Sequence, residues 1–71
     1  MSEKETLSKL GAKIRMIRTN KNITQADLAD KCHFEKASMS RIESGKINIT
    51  ISTLFKISNA LEVDVSGLLK D

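Results

Sequence analysis

Apolar side chains recur every three or four residues along almost the whole chain, which is the spacing of amphipathic helices. A first helix is predicted over about residues 6–20, and a second runs from its capping residue, Thr24, to about residue 31 or 32. The polar segment 20–22 separates the two helices. Their inward positions are predicted to be Leu7, Leu10, Ile14, Ile17, Leu28, Ala29 and Cys32.

Three more helices complete the pattern. The third is predicted over residues 36–44 and ends at Gly45, because glycine adopts the left-handed conformation at little cost. Thr50 caps a fourth helix, and Asp64 caps a short fifth one before a buried Val63. The third and fourth helices are predicted to bury Met39, Ile42, Ile51, Leu54, Ile57, Ser58 and Leu61, and the fifth carries Val65, Leu68 and Leu69.

The predicted fold class is therefore all-α, with five short helices in one domain, residues 1–71, and an ordered core of about residues 7–69. Segment 47–51 alternates β-branched and polar side chains, so a strand is the competing interpretation there. No second strand is available to pair with it, and a lone strand leaves its backbone groups unsatisfied.

Composition limits how so short a chain can be stabilised. A 71-residue domain buries only a modest fraction of its surface. Cys32 is the one cysteine, which excludes an intrachain disulfide, and with His33 it supplies too few ligands for a structural zinc site. We expect no metal or cofactor, so the fold has to rely on close helix packing, helped by dimerisation.

Several locations and functions are disfavoured. No run approaches the ~18 apolar residues of a membrane span, and the first residues lack the apolar stretch of a signal peptide. With a free thiol, this predicts a cytoplasmic protein with no membrane partner. The only aromatic residues are Phe34 and Phe55, too few for the stacking platforms that bind single strands and RNA.

The basic charge is concentrated in one part of the chain. Residues 1–46 hold ten basic and six acidic residues, a balance of +4, whereas residues 47–71 hold two and three, a balance of −1. One side of the molecule is thus suited to a polyanion, although charge alone is equally consistent with an ordinary solvated surface.

The second and third predicted helices are joined by only about three residues, 32–34. So short a connection sets two helices at a large angle, as in a helix-turn-helix. Ala29 would face the crossing, and Phe34 would fill the space between the helices. Such geometry is also common in helical bundles, so it is weak evidence by itself.

Four motifs in order make the pattern specific. They are I-R-x-x-R at 14–18, T-Q-x-x-L-A at 24–29, S-R-I-E-S-G-K at 40–46, and a fourth-helix pattern from Leu54 to Val63 in which Ser58 replaces a frequent alanine. With these motifs, the chain from Leu7 to Leu69 resembles the lambda-repressor-like helix-turn-helix domain, also called the Cro/CI or XRE type. The resemblance implies that the third helix lies in the major groove of DNA and that the second crosses the backbone.

The resemblance also implies which side chains touch DNA. The outward face of the third helix matches the base-reading positions of the family, and Arg41 there can donate two hydrogen bonds to guanine. Phosphate contacts are implied at both ends of the motif, and at Gln25 the free N–H groups and dipole of a helix N-terminus also favour an anion. The implied base-reading residues are Lys36, Ala37, Ser40 and Arg41, and the implied phosphate contacts are Thr24, Gln25, Ser44, Lys46 and Asn48. A solvated polar helix face and a plain helix cap are the alternative interpretations of these residues.

One pair is implied to be structural. Arg18 and Glu43 match a partly buried salt bridge between the first and third helices, and a bare carboxylate beside the DNA surface would repel phosphate.

Two positions depart from the family pattern. His33 stands where glycine with a positive φ is usual, and Glu35 stands where a capping Ser or Thr is usual.

These residues lead to the hypothesis of a sequence-specific regulator of transcription, a repressor or activator that binds a palindromic duplex as a homodimer. No catalytic arrangement and no glycine-rich phosphate loop are evident, so we expect neither an enzyme nor a small-molecule substrate. An antitoxin or restriction-modification controller would use the same domain, and a helical protein-interaction module is the alternative outside DNA binding. The dimer interface is predicted among apolar residues that the core does not obviously need, namely Leu61, Val63, Val65, Leu68 and Leu69.

Overall fold

The structure, a computed structural model, describes residues 2–69, so positions 1, 70 and 71 of the predicted domain lie outside the described residues. It is all-helical, as predicted, and segment 47–51 forms no strand. None of the helices within residues 2–69 has both the length and the apolar character needed to cross a membrane. The helices are α1 (Glu3–Asn20), α2 (Gln25–Lys31), α3 (Lys36–Glu43), α4 (Ile51–Leu61) and α5 (Val65–Leu69).

Short polar side chains define three of the helix starts. Thr24 accepts a hydrogen bond from the Asp27 amide at 3.0 Å, and Thr50 accepts one from Thr53 at 3.1 Å, as N-caps do. Helix α1 begins three residues earlier than predicted because Ser2 caps it, accepting from the Glu5 amide at 3.1 Å. Two glutamates in its first turn add favourable interactions with the helix dipole.

Helices α1 to α4 end in the same way, with one left-handed residue followed by an amide that bonds back to the helix. The left-handed residues are Asn22, His33, Gly45 and Glu62, with φ between 58° and 72°. The next residue donates to the carbonyl five positions earlier, as from Phe34 to Ala29 at 2.8 Å. At three ends the residue that follows, Ile23, Phe34 or Val63, packs against the core, whereas Lys46 is exposed. The positive φ expected at His33 is therefore confirmed.

One apolar cluster lies between the five helices. Its buried members are Leu10, Ile14, Leu28, Ala29, Cys32, Met39, Ile42, Leu54, Ile57, Leu61 and Leu68. The inward position predicted for Ile51 is wrong, because this residue is 69% exposed. Ile51 is the first residue of α4, and the buried face of that helix begins only with Leu54.

The predicted dimer interface needs correction. Leu61 and Leu68 are 0% and 2% exposed, so they belong to the core of one subunit and offer no surface to a partner. Val63 and Val65 are half-buried against the same core. Of the five candidates only Leu69 is exposed. The assumption that the core could do without these residues is wrong, since a chain this short needs nearly every large apolar residue inside.

Helices α1 and α3 cross at Gly11. A Cβ atom built on Gly11 would lie 2.5 Å from the carbonyl oxygens of Ile42 and Glu43, which are backbone atoms at the end of α3. A hydrogen is therefore the only substituent that fits at this crossing. The close approach fixes the position of α3 against the longest helix of the fold.

An ion pair joins the same two helices. Arg18 Nε donates to Glu43 Oε2 at 2.7 Å, and Arg18 Nη2 donates to Glu43 Oε1 at 3.0 Å. The third guanidinium nitrogen, Nη1, donates to the Ile23 carbonyl oxygen at 2.9 Å. Both side chains are about nine-tenths buried or more. The structure thus contains the Arg18–Glu43 pair expected from the sequence, and this pair ties α3 to α1 and to the segment that leads into α2.

Replacing Gly11 with alanine is expected to lower the free energy of unfolding by about 2 kcal/mol or more. The new methyl group has to displace helix backbone, and such overpacking outweighs the better helix propensity of alanine. Urea unfolding followed by circular dichroism measures the change. Gly67→Ala in α5 is the matched control, because nothing lies within 4 Å of its Cβ position and the protein should gain stability. Equal effects of the two substitutions would contradict the close crossing.

A double-mutant cycle should show strong coupling between Arg18 and Glu43. We expect an interaction energy above the ~0.2–1 kcal/mol of exposed pairs, and Arg18→Met alone should destabilise more than Arg18→Met with Glu43→Gln. The reason is that a single substitution strands a buried charge. Arg15→Met, at an exposed arginine of the same helix, should change the unfolding free energy by no more than ~0.5 kcal/mol. Additive effects at Arg18 and Glu43 would show that the pair is not an energetic unit.

Candidate nucleic-acid interface

Helix α3 has one buried side and one exposed side. Met39, Ile42 and Glu43 are buried, and they hold the helix against the body of the domain. The exposed side contains all four residues that the sequence assigns to base reading, Lys36, Ala37, Ser40 and Arg41. Residues four positions apart lie above one another on a helix, so these form two adjacent rows, Lys36 with Ser40 and Ala37 with Arg41.

A cleft lies where α1, α2 and α3 meet. It brings together five of the predicted DNA-contacting residues, Thr24, Gln25, Lys36, Ser40 and Ser44. Ala37 and Arg41 do not line this cleft, and they remain on the outer surface of α3. Lys46 and Asn48 are exposed on the connection that follows α3. The predicted phosphate contacts therefore flank the predicted base-reading face.

Glu43 also lines the cleft, but its charge is compensated. In addition to the two bonds from Arg18, its Oε1 accepts a hydrogen bond from Gln25 Nε2 at 3.2 Å. The carboxylate therefore has a cationic partner and three donors. Lys36 and Arg15 lie on the same cleft, and so the uncompensated charge there is positive. Such a site favours an anion.

Arg15 is the residue of this cleft that sequence reasoning missed. It is exposed on α1, and among residues 2–69 the only ion pair within 4.0 Å is the one between Arg18 and Glu43. The signal was available, because Arg15 is the first arginine of the I-R-x-x-R motif. Residues three apart share one side of a helix, so the spacing already placed Arg15 near Arg18.

The hydroxyl groups at the cleft differ in what they can still donate. Thr24 Oγ1 accepts from the Asp27 amide, so its own proton stays available. Ser44 Oγ instead donates to the Ser40 carbonyl oxygen at 2.7 Å. Ser44 can therefore donate to a phosphate only after its hydroxyl rotates. Of the two hydroxyls among the predicted phosphate contacts, Thr24 is the one that is ready to donate.

The position of Lys46 depends on Gly45. A Cβ atom on Gly45 would lie 2.7–2.9 Å from atoms of Ser8, and the residue has a φ of 72°, which favours glycine. The end of α3 therefore fits closely against the second turn of α1. A shallow depression there is lined by Glu3, Lys4, Leu7, Ser8, Ser44, Gly45 and Lys46.

The residues that depart from the family pattern lie at the turn before α3. Glu35 occupies the cap position, but its side chain makes no capping hydrogen bond and is exposed.

Cys32 is buried, and burial raises the pKa of its thiol, with a smaller opposing effect from the positive charge of Lys56. No group of three or more potential metal ligands occurs in the described part of the chain.

Comparisons with known proteins agree with this geometry. The sequence pattern of the helix-turn-helix family HTH_3 matches residues 14–68. The control protein C.BamHI of Bacillus amyloliquefaciens is 40% identical over 60 residues, which cover 83% of this chain and 74% of that protein. The immunity repressor of Bacillus phage phi105 is 32% identical over 60 residues, which cover 84% of this chain and only 42% of the repressor. The chain thus spans less than half the length of that phage protein.

The fold has a similar counterpart among solved structures. The restriction-modification controller protein C.AhdI of Aeromonas hydrophila superposes with a TM-score of 0.85 and 27% sequence identity. The superposition covers 87% of this chain and 94% of the controller. From its sequence pattern, its relatives and its fold, the chain belongs to the HTH_3 helix-turn-helix family.

Proposed function

We propose that this DNA-binding regulator inserts α3 into the major groove and holds the flanking phosphates with the cleft between α1, α2 and α3. One observation carries the proposal: the exposed face of α3 adjoins a cleft whose only carboxylate is neutralised, so that hydroxyl, amide and cationic groups remain for DNA. The width of the major groove admits one α-helix.

The side chains of the two exposed rows of α3 contact the bases. Arg41 is the residue suited to guanine, because its guanidinium can donate to O6 and N7 together. Lys36 reaches a guanine or a phosphate, Ser40 donates or accepts, and Ala37 contacts a thymine methyl group. Glu35, exposed at the start of the helix, is suited only to the amine of cytosine.

Phosphate binding fixes the register of α3 in the groove. Thr24 and Gln25 lie on one side of the helix, where Gln25 is held by its bond to Glu43 and Thr24 has a free hydroxyl proton. Lys46 and Asn48 are exposed on the connection that follows α3. Arg15 adds a fixed positive charge from α1. Together these groups place contacts on both strands that border the groove.

The regulator acts as a homodimer on a two-fold related operator. One α3 offers only four or five side chains that reach bases, which is too few to single out a site among the many competing sites of a genome. Two copies double the contacts and match the inverted symmetry of such operators. Acting on DNA, the protein works in the cytoplasm.

Repression or activation of transcription is the role that fits most of the relatives. A restriction-modification controller is the more specific candidate, favoured by the likeness to the control protein C.BamHI and to the structure of C.AhdI. An antitoxin would use the same contacts with DNA. The names of the compared relatives are those of regulators and not of enzymes.

Substitutions should separate base reading from phosphate binding. Arg41→Ala is expected to lower discrimination at one base pair by about 1–3 kcal/mol. Lys46→Ala should weaken binding to all duplexes alike and reduce the salt dependence by about one unit of slope. Fluorescence anisotropy at several salt concentrations, on a duplex selected from a random library and on its single-base variants, measures both. Equal losses on selected and random duplexes for both variants would contradict the assignment, and salt-insensitive binding by the wild type would favour a protein-interaction module.

The selected operator should show two-fold symmetry. We expect two inverted half-sites with centres about 34 Å apart, roughly one turn of the double helix, because the recognition helices of a symmetric dimer enter the same face of DNA. Sequencing of bound duplexes after rounds of selection reveals the symmetry. Full affinity of one subunit for one non-palindromic site would show instead that the regulator works as a monomer.

A further inference from the structure

The two exposed rows of α3 differ in chemistry. Lys36 and Ser40, in the row beside the cleft, both end in hydrogen-bonding groups. Ala37 and Arg41, in the outer row, combine a bare methyl group with a guanidinium. Both residues of the outer row are exposed, and within residues 2–69 Arg41 takes part in no ion pair. The outer row therefore presents one apolar group and one uncompensated cation to the molecule that α3 contacts.

Helix geometry brings the two groups of the outer row together. Positions 37 and 41 are about 6 Å apart along the helix axis, slightly more than one turn. A helical side chain tilts toward the N-terminus of its helix, so a long side chain at position 41 extends over the turn that carries Ala37. The small side chain of Ala37 leaves room for it there. The guanidinium of Arg41 is thus directed to a place beside the methyl group of Ala37.

In the proposed complex, neighbouring groups on α3 meet neighbouring base pairs. Stacked base pairs are about 3.4 Å apart, which is close to the distance between two side-chain groups in contact. Arg41 takes a guanine through its O6 and N7 atoms. Ala37 then faces the base pair next to that guanine. The outer row accordingly reads a step of two adjacent base pairs.

The side chain of Ala37 can recognise only one feature of a base in the major groove. Thymine presents O4 and a 5-methyl group there, whereas cytosine presents its N4 amine. Ala37 has no hydrogen-bonding group in its side chain, so it does not distinguish the oxygen from the amine. It can only bury a 5-methyl group. Cytosine methylated at C5 carries the same methyl group, and for Ala37 it is therefore equivalent to thymine.

We infer that α3 binds a 5-methylpyrimidine beside a guanine, and that it prefers thymine or 5-methylcytosine there to unmodified cytosine. This inference rests on the proposed function and names the base step that Ala37 and Arg41 read. Glu35, exposed two residues before Ala37, does not replace the methyl contact. Its carboxylate accepts from the N4 amine of cytosine whether or not C5 is methylated. A duplex methylated at cytosine C5 therefore offers stronger sites than the same sequence without the modification.

Duplexes that differ by one methyl group test this inference. The guanine read by Arg41 is the one at which Arg41→Ala loses discrimination, and selection from random duplexes should return thymine beside it. Uracil in place of that thymine removes only the methyl group and should weaken binding about fourfold per half-site. Cytosine there should also bind more weakly, and its replacement by 5-methylcytosine should strengthen binding by about the same factor. Fluorescence anisotropy of the full chain on these duplexes measures the ratios.

Ala37→Gly removes the methyl group on the protein side. The variant should bind the thymine and uracil duplexes equally, and likewise the cytosine and 5-methylcytosine duplexes. Each ratio compares two duplexes with the same variant, so a general loss of helix stability does not change it. Ala12→Gly is the matched control, at an exposed alanine of α1 outside the proposed interface, and it should keep both methyl preferences of the wild type.

The outcomes separate this inference from the proposed function. If the wild type selects no sequence over random duplex, the proposed function fails and the inference fails with it. If it selects an operator but binds the thymine and uracil duplexes equally, or binds more weakly after cytosine methylation, the inference alone is overturned. Methyl preferences that persist in Ala37→Gly, or that are lost equally in Ala12→Gly, would also overturn it.

Discussion

The ion pair between Arg18 and Glu43 is the interaction on which the proposed DNA-facing side depends. A buried carboxylate needs a cation and hydrogen-bond donors, and Glu43 has both from Arg18 and a further donor from Gln25. Three parts of the chain, namely α1, the start of α2 and the end of α3, therefore meet at one carboxylate. Without this compensation, the same residue would leave an uncancelled negative charge in the cleft and would weaken the cleft as an anion site.

The helix ends complete this arrangement through backbone hydrogen bonds. Four helices stop at a left-handed residue, and the amide that follows bonds back to the helix. At three of these ends the next side chain is apolar and packs inward. At the end of α3 it is Lys46, which stays exposed and is one of the proposed phosphate contacts. One local backbone motif thus places an apolar side chain in the core at three helix ends and an exposed lysine, a proposed phosphate contact, at the fourth.

Much of this structure could be predicted from the sequence because its signals are local. Capping threonines, a glycine after α3 and a regular apolar spacing set the helix limits, and only the early start at Ser2 was missed. The spacing of apolar residues does not say which of them another helix covers. For that reason Ile51 was expected inside, Leu68 was expected at a surface, and Leu61 was assigned to both the core and the interface. The Gly11 crossing depends on a distant helix, so periodicity along one helix could not reveal it. The place of Arg15, in contrast, could have been inferred from its three-residue spacing from Arg18 on α1.

The crossing at Gly11 has a consequence for how binding specificity can change. Because only a glycine hydrogen fits between α1 and the carbonyl groups at the end of α3, α3 cannot slide or roll without breaking the contact. Variation among related regulators that keep this glycine is then confined to the side chains that α3 displays. Recognition of a new operator then requires only different side chains on α3, because the position of the helix itself is fixed. The exposed residues of α3 can therefore be exchanged as a set between such domains.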